Sequence, residues 1–248
     1  MKYDVKLCEI VRRAVIAEDT YDFTVSAPEL AAVAEPGQFA HIYVPGKTLR
    51  RPISISEYDD AGVLIYYKVV GEGTRRMSEM APGTELDVLV GLGNGFDVAK
   101  SGEQPLVVGG GVGTPPLNRL TKKLLEAGKH PTVVLGFNTA SEVFWKDEFE
   151  ALGVNVTVTT VDGSMGVKGF VTNAMDGDFD YVYTCGPEPM FKAVYKVLDE
   201  KGLSGQFSFE ERMACGFGVC MGCSCKTKYG NKRICKDGPV LVKEEIIW

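Results

Sequence analysis

The stretch "PLVVGGGVGTPP", residues 105–116, joins an apolar run to a glycine-rich turn and then to the start of a helical pattern. Short apolar runs bounded by glycine are typical of buried strands, and the leucines that follow recur at helical spacing. We expect Thr114 to cap this helix, Pro115 to take its first position and Gly128 to end it. A strand, a tight turn and a helix in this order predict one unit of a parallel α/β sheet.

The alternation of strand and helix continues along the middle of the chain. Strand-like runs recur as "TVVLGF" at 132–137, "VNVTVTTV" at 154–161 and "YVYTCG" at 181–186. A helical pattern follows the last run, and Gly202 is placed to end it. These repeats predict a parallel sheet with crossover helices.

The first part of the chain has a different pattern. Short β-rich runs such as "GQFAHIYVPG", "PISISEY" and "GVLIYYKVVG" are separated by turn residues, which predicts an antiparallel barrel or sandwich. After about residue 206 no long period survives and cysteines become frequent. We therefore predict a multidomain β plus α/β fold, with an antiparallel β-barrel at 1–100, a parallel-sheet α/β domain at 101–205 and a small domain at 206–248.

The composition narrows the classes of partner. The 248 residues carry a formal net charge of −6 and no clustered Lys and Arg, so we expect no nucleic-acid partner. No apolar run is long enough to cross a bilayer, and the opening "MKYDVKLCEI" is charged where a signal peptide is apolar. We therefore expect a cytoplasmic protein without a membrane partner.

The cysteines are concentrated near the C-terminus. In a reducing compartment, metal binding or redox chemistry is favoured over structural disulfides. Cys215, Cys220 and Cys223 have the spacing C-x4-C-x2-C, with Cys235 as a fourth ligand, which is typical of plant-type [2Fe–2S] centres. A structural zinc site normally shows two C-x2-C pairs, yet zinc stays open as an alternative. Cys225 could replace Cys235, although a return from a separate strand closes the cage better.

The glycine turn is a candidate site for a pyrophosphate. Exposed N–H groups and a helix N-terminus converge there, and glycines let an anion approach. The spacing departs from G-x-G-x-x-G, so an ordinary tight strand-to-helix connection stays open. The run "CGPEPM", which begins at Cys185, lies at the carboxyl end of a strand of the same sheet, where open α/β sheets bind ligands.

The barrel segment contains a second set of candidate ligand residues. In "RRPISI" an arginine can pair with phosphate through its planar fork, and a serine hydroxyl can bind a ring edge. In "YYKVVGEGT" the loop N–H groups can hold a further phosphate. A solvated turn and ordinary strand packing stay open as the simpler alternatives. The candidates are Arg51, Pro52, Ile53, Ser54, Tyr66, Tyr67, Lys68, Gly73 and Thr74.

Together these motifs resemble the ferredoxin reductase superfamily, in which a flavin-binding barrel with an Arg-x-[Tyr/Ile]-Ser motif precedes a nicotinamide-binding domain with a glycine turn and a Cys-Gly-Pro motif. The resemblance implies that Arg51 holds the flavin pyrophosphate and Ser54 contacts the isoalloxazine. It places Cys185 near the nicotinamide, with a buried small residue as the open alternative. The pyrophosphate of the nicotinamide cofactor would then lie on Gly109, Gly110, Gly111, Gly113 and Thr114.

The choice between NAD and NADP follows from the segment after the second strand of this domain. Superfamily members that use NADP usually offer a basic residue there. Here the segment reads "GFNTASE", with Asn138 and Glu142 and no arginine. We therefore expect NAD to be preferred over NADP.

The string "FSFEERMACGFGVCMGCSCKT" resembles one family in particular, the electron transfer subunit of NAD-dependent, B-type dihydroorotate dehydrogenase, and the resemblance runs nearly end to end. It implies an FAD barrel at 1–100, an NAD domain at 101–205 and a [2Fe–2S] domain at 206–248. It also implies a separate FMN-containing catalytic subunit that oxidises dihydroorotate in pyrimidine (UMP) biosynthesis, in a heterotetramer with two copies of each subunit.

Electrons would then pass from FMN through the cluster and FAD to NAD+. We expect no catalytic acid or base in this chain, because hydride transfer between flavin and nicotinamide moves no separate proton from an acidic carbon. His41 and His130, the two histidines, are interpreted as structural or surface residues.

Two other functions stay open at this point. An iron–sulfur flavoprotein subunit of a sulfide dehydrogenase, hydrogenase or bifurcating transhydrogenase would have the same cofactors and another partner. A protein-interaction module stabilised by a structural zinc site would have no catalytic activity.

Overall fold

The computed structural model describes residues 4–17, 19–28, 34–59 and 62–248. The chain forms two compact units. The first contains the residues up to Gly95 together with Glu210–Lys226 and Asn231–Pro239, and the second contains Phe96–Phe209, Thr227–Gly230 and Val240–Trp248. The division at 1–100, 101–205 and 206–248 stays a prediction, and parts of its first segment (1–3, 18, 29–33 and 60–61) lie outside the described residues.

A closed antiparallel barrel of six strands, in the order β1-β2-β5-β4-β3-β6, forms the body of the first unit. The predicted barrel is therefore confirmed, although β1 was not among the predicted strands. The six are β1 (Asp4–Ala17), β2 (Thr20–Val25), β3 (Phe39–Ile42), β4 (Arg51–Asp59), β5 (Gly62–Lys68) and β6 (Glu85–Leu92).

Strand alternation sorts the side chains of this barrel. Successive residues of a strand point to opposite faces, so every second residue enters the core. Phe23, Val63 and Ile65 are fully buried in the interior, and Ala40 and Ile42 of β3 join them. A short helix, α1 (Glu72–Ser78), follows β5 and adds Met77 to the same core.

The second unit is built on a seven-stranded sheet in the order β10-β9-β8-β7-β11-β12-β15. Its neighbours pair in parallel except for β12 and β15, which are antiparallel. The predicted parallel α/β architecture is confirmed. The strands from here to the C-terminus are β7 (Pro105–Gly110), β8 (Thr132–Phe137), β9 (Asn155–Thr160), β10 (Val167–Lys168), β11 (Tyr181–Cys185), β12 (Ser204–Ser208), β13 (Ser224–Thr227), β14 (Gly230–Arg233) and β15 (Val240–Val242), with β13 and β14 forming a separate hairpin.

Four helices follow α1 along the chain: α2 (Pro116–Glu126), α3 (Lys146–Glu150), α4 (Glu188–Lys201) and α5 (Ile234–Asp237). Gly128 and Gly202 stand just beyond α2 and α4 with φ of +75° and +66°, as expected of helix-ending glycines. The expected start of α2 was wrong. Thr114 has helical backbone angles (φ −66°, ψ −50°) and not the extended backbone of a cap, and α2 begins at Pro116.

None of the helices in the described part of the chain is both long and apolar enough to span a membrane.

Candidate functional site

Arg51 and Gly73 meet at one end of the barrel. Arg51 opens β4 and Gly73 lies in the first turn of α1. A methyl group built on Gly73 would lie 2.0 Å from Nε and 2.4 Å from Cζ of Arg51, so the guanidinium packs directly on the glycine. This cradle of a cation beside a glycine backbone that carries no side chain suits a phosphate group.

The neighbouring arginine has a different task. Arg50 donates from Nη2 to both carboxylate oxygens of Asp87 at 2.9 Å, and from Nη1 to the backbone oxygens of His41 and Asp87 at 3.2 and 3.0 Å. These contacts use its donors within the barrel wall. Arg51 donates from Nη1 to the backbone oxygens of Leu49 and Arg50, at 2.5 and 3.3 Å, but forms no ion pair with a described residue. Of the pair "RR", Arg51 is therefore the residue suited to hold an anionic ligand.

The three residues of β4 that follow Arg51 are half-buried. Pro52, Ile53 and Ser54 are all of intermediate exposure. Ile53 packs against the barrel core, so alternation turns Pro52 and Ser54 to the outer face. Ser54 stands opposite Phe39 of β3, and Pro52 stands opposite His41.

The tyrosine pair of β5 is split between the two faces. Tyr67 lies in the core, 2% exposed, with its ring edge-on to Phe23 at 5.2 Å between centroids, and burial raises the pKa of its phenol. Tyr66 and Lys68 point the other way, to the outer face. The structure therefore brings Tyr66 and Lys68, and not Tyr67, to the same side as Ser54.

Thr74 is used inside the chain. Its hydroxyl accepts from the backbone N–H groups of Val70 and Gly71 at 3.0 and 3.2 Å and donates to the oxygen of Gly71 at 3.1 Å. It thereby shapes the turn that places Gly73 under Arg51, and its contribution to the cradle is to hold the backbone.

In the second unit, the glycine turn and the Cys-Gly-Pro segment are in contact. A methyl group on Gly113 would lie 2.4 Å from the backbone oxygen of Cys185, and one on Gly110 would lie 2.6 Å from Sδ of Met190. Gly111, with φ of +51°, has open space around its Cα. The two predicted segments thus form one glycine-lined edge at the carboxyl ends of β7 and β11.

Two buried groups line this edge. Cys185, 3% exposed, ends β11 and pairs with Gly109 on one side and Ser208 on the other. The hydroxyl of Thr114 is buried and, among the described residues, accepts or donates no hydrogen bond. A hydroxyl left free beside a glycine turn is consistent with a ligand that completes it.

A carboxylate stands at the end of the adjacent strand β8. Oε2 of Glu142 accepts from Nδ2 and from the backbone N–H of Asn138, at 2.8 and 3.2 Å. The carboxylate of Glu142 is therefore held in the segment where a superfamily member that binds the 2′-phosphate of NADP would offer a cation. A carboxylate at this position favours a ribose hydroxyl over a 2′-phosphate.

The four predicted cysteine ligands lie in the first unit as two pairs. The Cys215 and Cys220 side chains interact directly, and so do those of Cys223 and Cys235. Within the described residues no three Cys, His, Asp or Glu side chains converge as on one metal ion. A two-iron cluster needs one pair of thiolates for each iron, and two such pairs would supply them.

Backbone N–H groups point at these sulfurs. Sγ of Cys215 accepts from Val219 at 3.3 Å and from Cys220 at 3.5 Å, while Sγ of Cys223 accepts from Cys235 at 3.4 Å. Although burial raises the pKa of Cys215, hydrogen bonds from the backbone of Cys220 and Phe217 lower it to about 6. Such donors stabilise thiolate ligands.

The pKa of Cys235, the most buried of the four cysteines, shifts in the opposite direction to that of Cys215. Burial, and then the neighbouring Cys223 and Cys215, raise the pKa of Cys235. Crowded, buried thiolates repel one another, and bound iron cations would relieve that repulsion. The donor set therefore fits an iron–sulfur cluster. Ile234 donates to the oxygen of Cys223 at 3.1 Å, which brings Cys235 beside Cys223. The choice of Cys235 over Cys225 as the fourth ligand stays a prediction.

Two residues near the cysteines were not identified from sequence as part of the site. Arg233 donates to both oxygens of Asp237 and, at 2.9 Å, to the oxygen of Gly218, which ties the cysteine loop to α5. The i, i+4 spacing of Arg233 and Asp237 could have indicated the ion pair. His41 lies against Gly216, and no local pattern signals a contact across so many residues.

Comparison with known families matches two parts of the chain. The model of the iron–sulfur cluster binding domain of dihydroorotate dehydrogenase B matches residues 210–247, and that of the oxidoreductase NAD-binding domain matches residues 107–196. The matched ranges contain the four cysteines and the glycine turn.

Curated relatives are similar over nearly the whole chain. The electron transfer subunit of dihydroorotate dehydrogenase B (NAD(+)) from Fusobacterium nucleatum is 41% identical over 255 residues, 96% of this chain and 97% of its own length. The subunit of the same name from Caldanaerobacter subterraneus is 39% identical and covers 100% of both chains.

Solved structures agree. A chain from the study of the NADH-dependent reduced ferredoxin-NADP oxidoreductase superposes with a TM-score of 0.90 at 35% identity, covering 98% of this chain and 90% of its own. The ferredoxin reductase in carbazole 1,9a-dioxygenase, at a TM-score of 0.68 and 20% identity, covers 81% of this chain and 67% of its own and shares the fold.

Proposed function

Since the chain belongs to the family of electron transfer subunits of dihydroorotate dehydrogenase B (NAD(+)), we propose that it carries electrons from a catalytic partner subunit to NAD+. The observation that carries this proposal is the paired set of cysteines with backbone donors, present in the same compact unit as the Arg51–Gly73 cradle. An iron–sulfur site and an anion cradle in one unit suit a chain that conducts electrons.

We propose that the barrel holds FAD. Arg51 binds the pyrophosphate together with the backbone at Gly73, whose turn is fixed by Thr74. Ser54 and Pro52 on the outer face of β4 position the ring system, with Tyr66 and Lys68 of β5 on the same face. Ile53 supports this strand from the core side.

In the second unit the glycine turn holds the pyrophosphate of NAD. Gly109, Gly110, Gly111 and Gly113 let it approach the backbone, and Thr114 supplies a hydroxyl. Cys185, at the end of β11, is placed to limit the depth to which a nicotinamide can enter. Glu142 favours NAD over NADP.

Cys215, Cys220, Cys223 and Cys235 hold a [2Fe–2S] cluster. A flavin exchanges hydride with nicotinamide and single electrons with such a cluster, and so joins two-electron to one-electron chemistry. The chain itself binds, orients and shields these groups. Its contribution at the cluster is the set of N–H groups aimed at sulfur, which favours the more negative state.

The segment around the cysteines presents an apolar surface to the partner. Phe217, Val219 and Met221 are 37, 72 and 51% exposed and alternate with glycines and the exposed Cys220. Large apolar side chains at a surface mark interaction sites. We propose that this face meets an FMN-containing dihydroorotate dehydrogenase subunit, two copies of each subunit forming the assembly, in the cytoplasm and in pyrimidine synthesis.

The proposal is tested by combining the purified chain with the catalytic subunit and following dihydroorotate-dependent reduction of NAD+. We expect activity from the mixture and none from this chain alone. Dihydroorotate oxidation by the isolated chain, or no NADH from the mixture, would contradict the division of labour.

The likeness to the NADH-dependent reduced ferredoxin-NADP oxidoreductase favours one alternative, a subunit of a bifurcating enzyme with the same cofactors. The protein that co-purifies with the chain from its own cells separates the two. A dihydroorotate dehydrogenase supports the first function, and a larger flavoprotein that reduces ferredoxin supports the second.

A further inference from the structure

His41 is a fully buried histidine on the outer face of the barrel. It lies between Ala40 and Ile42, which belong to the core, so alternation turns its side chain outward. It is nevertheless 0% exposed. Another part of the same unit must therefore cover it, and the contacts identify that part as the turn at Cys215 and Gly216.

The turn packs directly on the imidazole ring. A methyl group on Gly216 would lie 2.4 Å from Nδ1 and 3.1 Å from Cε1 of His41. Gly216 also has φ of +81°, which disfavours any side chain. The glycine that follows the first cysteine ligand is thus required both by its backbone and by the ring beneath it.

The ring nitrogens have unused hydrogen-bonding capacity. Neither Nδ1 nor Nε2 forms a hydrogen bond of good geometry with any described residue, although the backbones of Arg50 and Cys215 both interact with the ring. A neutral imidazole carries one N–H donor, and a buried donor without a partner costs about 1–3 kcal/mol. Such a group is retained where a bound species supplies the partner.

The other neighbours of His41 lie on β3 itself and at the start of β4 (Arg51–Asp59), which is the proposed flavin strand. His41 pairs with Pro52 across β3 and β4, and its own oxygen accepts from Arg50 at 3.2 Å. The ring of Phe39, which stands opposite Ser54, lies edge-on at 6.4 Å between centroids. His41 is therefore joined through its backbone to the strand that presents Ser54, while its ring packs on the turn that presents Cys215.

We propose that His41 is a positioning residue that fixes the cluster-binding turn on the flavin strand and donates its Nδ1 hydrogen to the sulfur atoms held by that turn. This inference rests on the proposed function, since it requires a cluster. A donor to sulfur stabilises the reduced, more negative cluster and raises its reduction potential. Removal of the donor therefore lowers the potential.

The experiment uses the full chain loaded with cluster and flavin. His41→Leu removes both nitrogens, His41→Asn keeps a donor near the position of Nδ1, and His41→Gln moves the donor toward the position of Nε2. His130→Leu is the matched control, because His130 is the other histidine and is exposed. Iron per chain, FAD per chain and the cluster midpoint potential, followed by electron paramagnetic resonance, are measured for each.

We expect His41→Leu to make one-electron reduction of the cluster about tenfold less favourable, which is about 59 mV lower, and to retain less iron at equal FAD content. His41→Asn should stay near the wild type, and His41→Gln should shift as His41→Leu does. If His41→Leu does not fold, the comparison of His41→Asn with His41→Gln tests the inference, because only His41→Gln should lower the midpoint potential of the cluster.

Unchanged potential and iron content in His41→Leu, or equal behaviour of the Asn and Gln variants, would overturn the inference. Absence of iron from the wild-type chain would instead overturn the proposed function, so the two failures are distinguishable.

Discussion

The guanidinium of Arg51 packs on the Cα of Gly73 so closely that a methyl group there would lie 2.0 Å from Nε. The start of β4 and the first turn of α1 are thereby joined without an intervening side chain. The contact forms the proposed anion cradle of the barrel, and any substitution at Gly73 has to displace Arg51.

Gly73→Ala should weaken FAD binding at least tenfold, about 1.4 kcal/mol, because the displaced arginine no longer faces the pyrophosphate. The dissociation constant is measured by titrating flavin-free protein with FAD and following its fluorescence. Gly71→Ala is the control, since Gly71 has φ of −178° and no atom within 4 Å of the added methyl group. Equal affinities of the two variants would exclude the cradle as the flavin site.

Much of this fold could be predicted because local pattern and tertiary position agree. The leucines of α2 and the strands β4, β5 and β7 carry their period in the sequence. β1 does not, because its apolar residues lie on both faces: Val5 and Leu7 are 52 and 69% exposed, whereas Cys8 and Ile10 are buried in the core. The hydrophobic pattern of β1 therefore does not favour one face, and no local rule identifies the inner one.

Long-range partners account for other omissions. Gln206 of β12 is 2% exposed, and its amide accepts from the N–H and donates to the oxygen of Asp97, both at 2.9 Å. From sequence alone a glutamine is expected at the surface, because the distant partner that allows its burial does not show in the local pattern. The same holds for His41, whose packing on Gly216 depends on a turn far along the chain. The predicted cysteine ligands, by contrast, lie close in sequence, so a local pattern is enough to identify them as candidates.

Gly113→Ala should raise the KM for NADH about tenfold and destabilise the fold by about 1–3 kcal/mol, because the new methyl group would lie 2.4 Å from the backbone oxygen of Cys185. Steady-state reduction of an artificial acceptor and thermal unfolding measure the two effects. Gly177→Ala, where the added methyl group has no neighbour within 4 Å, should leave both unchanged. A normal KM in Gly113→Ala would remove the glycine turn from the nicotinamide site.

Cys235→Ser should abolish the visible absorbance of the cluster, whereas Cys225→Ser should retain it. Cys235 is fully buried, and its N–H donates to Sγ of Cys223, so it completes the inner pair of thiolates. Iron analysis and the absorption spectrum of the two variants provide the measurement. The opposite pattern would make Cys225 the fourth ligand.

Glu142→Arg should raise kcat/KM for NADPH about tenfold and lower it for NADH. The substitution replaces a carboxylate held by Asn138 at 2.8 Å with a cation that can pair with a 2′-phosphate. Glu148→Arg, the same change of charge at an exposed position of α3, serves as control. A wild-type chain that already prefers NADPH would show that Glu142 does not select the cofactor.

The central claim is that this chain binds an iron–sulfur cluster and a flavin, that electrons pass between the two, and that the flavin exchanges hydride with NAD. Anaerobic titration of the purified, fully loaded chain with NADH tests it most directly, with the flavin followed by absorbance and the cluster by electron paramagnetic resonance. We predict about two irons per chain, bleaching of the flavin and appearance of the signal of a reduced [2Fe–2S] centre. A chain without iron, or a cluster that stays oxidised after NADH has bleached the flavin, would contradict the account.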